Sequence, residues 1–238
     1  MLLNYNKPVQ VSSTLGGFQA NFTTDEDIKT YWSAKTSNKG EYLISDLGEK
    51  STINAIQINY ADQDVELMGK PETTTGHKYI IYSSNDGKSW KIAVDKSKNT
   101  KDVPHDYIEL EKPITARYLK LENIQMPTGK FAISGFRVFG KGSGTKPNAV
   151  QNFAPLRAEA KKKGERRNVW FKWQQEPNAD GYVIYFGKSP EKLYGSIMVY
   201  GKNEYYFNGL DRSDAYYFQI EAFNNNGIGP KSEVKKSE

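Results

Sequence analysis

Apolar and polar residues alternate with a period of two along most of this chain, and helical periodicity is nearly missing. The alternation is plain in Ile56, Ile58 and Tyr60, and the stretch Ser84–Gly87 has the residues of a tight hairpin turn. Turn residues interrupt the alternating segments about every ten residues. Short strands spaced in this way are typical of β-sandwiches and jelly rolls. We therefore predict an all-β protein.

The stretch Lys141–Asn148 is the most linker-like segment, and it divides the 238 residues into two parts of different charge. Residues 1–140 contain 17 Lys and Arg against 17 Asp and Glu, whereas residues 141–238 contain 16 against 11. We predict a first domain at residues 1–140, a linker at 141–150 and a second domain at 151–238.

The excess positive charge of the second part is concentrated in Lys161–Lys163 and Arg166–Arg167. A nucleic-acid site would need aromatic residues between the basic ones for stacking on bases, and this run has none. The run therefore favours a solvated turn between strands, and we expect no nucleic-acid partner.

The composition excludes several kinds of chemistry. The chain has no cysteine, which excludes disulfides, thiolate zinc sites, iron–sulfur clusters and a cysteine nucleophile. Its two histidines, His77 and His105, are too few for a multi-histidine metal centre. No apolar run approaches the ~20 residues of a bilayer span, so we expect no membrane insertion. The start, Met1–Pro8, lacks the apolar core of a secretory signal, and we expect a fragment of a longer exported polypeptide.

Six blocks of the first part occur in an order that we recognise: Val11–Ser13, Asp25–Ala34, Glu41–Gly48, Ser83–Trp90, Ala116–Leu121 and Ile133–Gly140. Together they resemble the discoidin, or coagulation-factor 5/8 type C, domain, which implies a jelly-roll β-sandwich. Bacterial members of that family include the family 32 carbohydrate-binding modules. Residues 95–105 resemble the region after the catalytic domain in Bacteroidetes family 43 glycoside hydrolases of the xylosidase or arabinofuranosidase type. The resemblance implies a carbohydrate ligand, an upstream catalytic domain in the same polypeptide and an extracellular, periplasmic or cell-surface location in a bacterium.

Three segments break the alternation: Thr14–Asn21, Ala61–His77 and Ile124–Ala132. Since a sandwich holds variable loops on rigid strands, ligand-binding groups are expected in such segments. A sugar ring needs an aromatic surface for its C–H face and polar side chains for its hydroxyls. The candidates of these two types are Phe18, Phe131, Asp62, Gln63, Asp64 and His77. The alternative interpretation is that they are ordinary solvated loop residues.

Asp25, Asp27 and Thr30 occur at odd spacing in one loop, so their oxygens could converge on a hard cation together with backbone carbonyls. Related discoidin modules use this loop for a structural calcium ion, and the resemblance therefore implies one such ion here. The family commonly adds a carboxylate just before the final strand, where this chain has Gly135, and this lowers the expected charge of the site. The alternative interpretation is that the acidic residues cap a turn.

The second part contains Val169–Trp173, Gly181–Phe186 and Leu210–Asn224, and it closes with Gly227–Ser232. These segments resemble a fibronectin type III domain, which is an immunoglobulin-like β-sandwich. Leu210 and Tyr216 stand at the spacing of that family's tyrosine corner, and Trp173 and Tyr182 are then core residues. We assign no chemistry to this part, and the resemblance implies a spacer.

Glu109 and Glu111 are the best candidates for a catalytic pair, since residues two apart on a strand share a face. They flank Leu110 in a pattern that surface strands adopt without function, so we expect no catalysis. The leading hypothesis is a non-catalytic accessory region of a secreted glycoside hydrolase that binds plant or host polysaccharide weakly through the end loops of the first sandwich. The alternative is a structural brace that packs against the catalytic domain and binds no sugar.

Overall fold

The computed structural model describes residues 1–66, 76–157 and 165–237. The regular structure is nearly all β, which confirms the predicted fold class. Within these residues the helices are short 3-10 turns, and none has the length or apolar character to cross a bilayer. Residues 67–75 of the predicted Ala61–His77 loop and the lysines Lys161–Lys163 lie outside the described residues. The chain divides into two compact units, Met1–Ser143 and Gly144–Glu238.

The described part of the first unit contains one 3-10 helix, Ala20–Thr23, and seven strands. The strands are β1 (Val9–Val11), β2 (Trp32–Ser33), β3 (Tyr42–Tyr60), β4 (Lys78–Ser84), β5 (Lys91–Asp95), β6 (His105–Gln125) and β7 (Ala132–Lys141).

Strands β3 and β6 are long because each runs through both layers of a sandwich. They pair with each other antiparallel, and the register shifts between Asp46 and Ser51. On one side of this shift the β3–β6 pair continues into β4 and β5, with β1 on the far edge. On the other side β3 also pairs with β7, which pairs with β2. The shift therefore separates the two layers.

One core fills the space between these layers. Leu43 and Leu121 come from the layer with β4, Ile56 and Phe136 come from the layer with β7, and all four are fully buried. Burying a side chain of this size contributes about 1.5–3 kcal/mol relative to leaving it exposed. The inward-facing half of the period-two alternation thus supplies the apolar area that holds the sandwich together.

Strand pairing also places the loops. Tyr60, the last residue of β3, pairs with Ile133 near the start of β7, and its backbone N–H donates to the carbonyl of Pro104 (2.9 Å). The loops after β3, before β6 and before β7 therefore emerge at the same end of the first unit.

The described part of the second unit contains eight further strands and a 3-10 helix at Glu165–Arg167. The strands are β8 (Ala154–Arg157), β9 (Val169–Lys172), β10 (Gly181–Gly187), β11 (Gly195–Tyr200), β12 (Glu204–Phe207), β13 (Tyr216–Asn224), β14 (Gly227–Ile228) and β15 (Lys235–Ser237). One sheet has the order β11-β10-β13-β14, with β15 also paired to β13, and the other has the order β12-β9-β8. These sheets enclose a second core that includes Val150. Within the predicted linker 141–150, Lys141 is the last residue of β7 and Val150 is buried in this core.

The structure shows where four residues singled out from the sequence of the second unit lie. Trp173 and Tyr182 are buried against each other with ring centroids 5.0 Å apart. The hydroxyl of Tyr216 accepts a hydrogen bond from the backbone N–H of Asp211 (3.0 Å), which is the bond that defines a tyrosine corner. Arg166 departs from the predicted solvated turn, because it is 7% exposed and its Nε donates to the backbone carbonyl of Arg212.

Candidate functional site

A cleft of about 640 Å³ opens at the loop end of the first unit. Its walls come from the loop after Thr24, the loops before β4, β6 and β7, and the adjoining ends of these strands. The side chains that carry its chemistry are Tyr31, Asp62, His77, Asp102, His105 and Met126. Two of the six predicted sugar-binding residues, Asp62 and His77, therefore line one cleft.

Backbone hydrogen bonds fix two of these loops against each other. The N–H of Lys130 donates to the carbonyl of Gln63 (2.9 Å), and the N–H of Ala61 donates to the carbonyl of Ala132 (3.0 Å). Gly129 has a φ of +69°, and a Cβ at this position would lie 2.5 Å from the Gln63 carbonyl oxygen. Glycine is therefore required where the loop before β7 approaches the loop after β3.

Tyr31 supplies the aromatic ring of the cleft. Its hydroxyl donates to the side-chain oxygen of Gln63 (2.9 Å), and the ring of Phe18 packs against it with centroids 4.7 Å apart and an interplanar angle of 30°. Phe18 therefore lies outside the cleft lining and packs behind Tyr31. The predicted loop segments Thr14–Asn21, Ala61–His77 and Ile124–Ala132 are thus joined through contacts of Tyr31 and Gln63. Sequence reasoning missed Tyr31 because it lies in the segment assigned to calcium.

His77 forms a buried part of the cleft wall. Its ring packs on that of Tyr60 with centroids 4.1 Å apart, and its Nδ1 lies 3.0 Å from Asp102 Oδ1 and 3.1 Å from the backbone nitrogen of Val103. Burial lowers the pKa of His77 below its ordinary value, and the carboxylates of Asp102 and Asp106 offset this only in part. The polar contacts of the ring with described residues go through Nδ1.

The remaining polar residues of the middle loop differ in position. Asp62 is exposed and lines the cleft, whereas Gln63 and Asp64 lie beside it. Asp64 forms an ion pair with Lys130, and this hydrogen-bonded contact lowers the pKa of Asp64. Gln63 Nε2 also donates to Asp64 (2.7 Å). Gln63 and Asp64 thus hold the loops together, and of these three residues Asp62 is the one that lines the cleft.

The family model described as F5/8 type C domain matches residues 8–135, which is more than half of the 238-residue chain. The chain belongs to this family. The matched residues lie within the first unit, so the cleft belongs to the F5/8 type C domain. No curated protein matches the chain significantly.

Solved structures similar to this F5/8 type C domain include two bacterial modules. Chitosan-binding module 1 from the chitosanase/glucanase of Paenibacillus sp. IK-5 is 24% identical, with 59% of this chain and 99% of that chain covered and a TM-score of 0.48. CpGH89CBM32-5 from Clostridium perfringens, in complex with GalNAc-β-1,3-galactose, is 17% identical, with 59% and 100% covered and a TM-score of 0.47.

Phe131 corrects one prediction for the F5/8 type C domain. Its ring is fully buried and packs edge-to-face on Trp32 with centroids 5.6 Å apart. The backbone N–H of Ala34 donates to the Phe131 carbonyl (2.9 Å), which draws the residue into the sandwich. Phe131 is therefore a core residue, and it offers no ring face at a loop tip.

The acidic loop of the F5/8 type C domain satisfies its own oxygens. Asp25 accepts from the Thr30 hydroxyl (2.7 Å) and from the N–H of Asp27 (2.9 Å), and Asp27 accepts from the N–H of Lys29 (2.9 Å). Among the described residues, which include this whole loop, no group of three or more His, Cys, Asp or Glu could hold a metal ion. The oxygens of the predicted ligands Asp25, Asp27 and Thr30 are thus hydrogen-bonded to one another and to the backbone, in the pattern of a capped turn.

Glu109 and Glu111 are exposed on β6 and lie outside the cleft lining. Leu110 between them is half-buried, as in a strand whose alternate residues face solvent.

Proposed function

We propose that the cleft of the first unit binds carbohydrate without catalysis. The observation that carries this proposal is the combination of the Tyr31 ring with Asp62, His77 and His105 in one concave site. An aromatic ring packs on the apolar C–H face of a sugar, and the carboxylate and imidazoles can hydrogen-bond its hydroxyls. The remaining wall adds the apolar side chain of Met126.

The cleft has a volume of about 640 Å³, so we propose that it binds a few sugar units weakly, with micromolar to millimolar dissociation constants. A module of this kind is effective when it is tethered, because it raises the effective concentration of a linked enzyme at the polysaccharide. We propose that this chain is the accessory region of a secreted bacterial glycoside hydrolase with its catalytic domain upstream in the same polypeptide.

We further propose that the second unit is a fibronectin type III spacer. Its support is the hydrogen bond between Tyr216 and Asp211, together with the paired rings of Trp173 and Tyr182 in an antiparallel two-sheet core. As a spacer, the unit would separate the sugar-binding domain from whatever follows it in the polypeptide.

Isothermal titration of the full chain against arabinoxylan-type and galactose-containing glycans tests the sugar site. We expect binding by the wild type and a loss of at least about tenfold in affinity for Tyr31→Ala, because the aromatic surface is removed. Tyr107→Ala is the matched control, since Tyr107 is 61% exposed on the same unit and lies outside the cleft. Silence across a broad glycan panel would defeat sugar binding and favour the brace, and equal affinities of wild type and Tyr31→Ala would place the site elsewhere.

A further inference from the structure

The guanidinium of Arg137 joins β7 to the acidic loop that follows Thr24. Its Nε donates to Glu26 Oε1 at 2.7 Å, and the two side chains are 15% and 27% exposed. The partners are 111 positions apart in the sequence. This ion pair therefore connects the loop to the central part of the sandwich, and its partial burial shields it from solvent.

The space around the guanidinium is shaped for it. A Cβ at Gly135 would lie 2.8 Å from Arg137 Nη1 and 3.2 Å from Cζ, so a side chain at 135 would displace the arginine. On the other side, Nη1 donates to the side-chain oxygen of Asn59 in the amide orientation in which Asn59 Nδ2 also donates to the carbonyl of Ile58 (3.2 Å). Gly135 and Asn59 thus form a seat for Arg137.

Glu26 has an unusual backbone conformation. Its φ is 61°, in the left-handed region that a non-glycine residue adopts only when its surroundings hold it there. The flanking residues Asp25 and Asp27 bond within the loop to Thr30 and to the N–H of Lys29. Of the three consecutive carboxylates, Glu26 is therefore the one that reaches out to a cation.

We propose that Arg137 is the built-in cation of this loop and performs the structural role that the resemblance implied for calcium. Three adjacent carboxylates repel one another, and a positive charge nearby offsets this repulsion. The guanidinium of Arg137, seated between Gly135 and Asn59, provides that charge. The same loop carries Ile28, Lys29 and Tyr31 into the cleft. This inference rests on the proposed function: if the cleft binds sugar, Arg137 is a positioning residue for the part of the cleft wall that this loop forms.

The first test needs no sugar. Thermal unfolding of the full chain is measured in excess EDTA and in millimolar calcium chloride. We expect the same melting temperature in both, because no metal holds the loop. A melting temperature that rises with calcium, or falls with EDTA, in the wild-type protein would overturn the proposal, whether or not the cleft binds carbohydrate.

The second test uses hydrogen exchange of the amides of Asp27, Lys29 and Thr30. We expect exchange about fivefold faster in Arg137→Met and in Glu26→Gln, since either change frees the loop. Glu26→Gln keeps the guanidinium in its seat, so it reports on the ion pair even where Arg137→Met folds poorly. Unchanged exchange in Glu26→Gln would overturn the proposal.

Arg117→Met is the matched control, because Arg117 also pairs with a carboxylate of the first unit, Asp46, at 2.8 Å. It should leave exchange in the 24–30 loop unchanged. If the cleft binds sugar, Arg137→Met should weaken that binding about fivefold while Arg117→Met leaves it unchanged, because a positioned wall binds better than a mobile one. Equal sugar affinities of Arg137→Met and wild type, with faster exchange, would refute the positioning role and leave the proposed function standing.

Discussion

The hydroxyl of Tyr31 donates a 2.9 Å hydrogen bond to the side-chain oxygen of Gln63, joining two loops that are distant in the sequence. Phe18 packs on the same tyrosine from a third segment. Tyr31 thus has two functions, since it lines the cleft and its hydroxyl holds the loop that contains Gln63.

These two functions can be separated by Tyr31→Phe, which keeps the ring and removes the hydroxyl. We expect a loss of about 1 kcal/mol in the free energy of unfolding, the usual contribution of such a bond, measured by urea titration. Sugar affinity should fall by less than about threefold, because the aromatic surface remains. A loss of affinity as large as that of Tyr31→Ala would mean that the hydroxyl, and not the ring, contacts the ligand.

The sequence predicted much of this fold, because period-two alternation directly records which residues face a core. Residues such as Ile56 and Ile58 are buried as their spacing implies. The cleft was predicted only in part. Asp62 and His77 follow from their loop. Asp102 comes from the segment before β6, which the hydrogen bond from the His77 N–H to the Lys101 carbonyl (3.2 Å) holds beside His77, and local sequence does not encode that contact. Whether a loop aromatic faces inward also depends on distant partners, as Phe131 on Trp32 shows.

Truncation of Phe131 should therefore mainly lower stability, and truncation of Phe18 should mainly lower sugar affinity. Phe131→Ala removes a fully buried ring and should lower the free energy of unfolding by about 3–5 kcal/mol. Phe18→Ala removes a half-buried ring outside the core and should have a smaller effect on stability, with a weaker sugar affinity through Tyr31. Urea unfolding and titration calorimetry on both variants check this, and a stable Phe131→Ala protein would contradict the core assignment.

Acidification should destabilise the first unit through His77. Burial lowers the folded-state pKa of this imidazole, so between the folded and unfolded pKa values the unfolded chain binds more protons. Stability is consequently full above the unfolded pKa and is lost as pH falls from there through the folded pKa. We expect the melting temperature to fall from about pH 7.5 to about pH 5, and His77→Asn to reduce this fall.

His105→Asn is the control for this experiment, because His105 is exposed and its removal leaves the buried ring in place. The fall in melting temperature should persist in that variant. Identical pH profiles for wild type and His77→Asn would show that other groups cause the acid sensitivity.

Glu41 should stabilise the folded protein in its ionised, negatively charged form. Burial alone would raise its pKa, but hydrogen bonds from the hydroxyls of Ser12, Thr36 and Ser13 outweigh this effect and lower the pKa. The contribution is therefore present above the unfolded pKa and is lost as pH falls through the folded one. Glu41→Gln should reduce the free energy of unfolding by about 2 kcal/mol at neutral pH, and the difference from wild type should shrink near about pH 3. A difference that is constant with pH would assign the effect to packing.

Tyr216→Phe tests the corner of the second unit. The hydroxyl of Tyr216 accepts the N–H of Asp211, a backbone donor that the variant leaves without this partner. Losing a part-buried hydrogen bond of this kind costs about 0.5–1.5 kcal/mol, so the calorimetric transition of the second unit should move to lower temperature. Tyr217→Phe is the matched control, since Tyr217 is the next residue of β13 and within the described residues its hydroxyl has no hydrogen-bond partner. Equal transitions for the two variants would mean that the Asp211 bond adds nothing beyond the packing of the ring, and the spacer assignment would lose its best support.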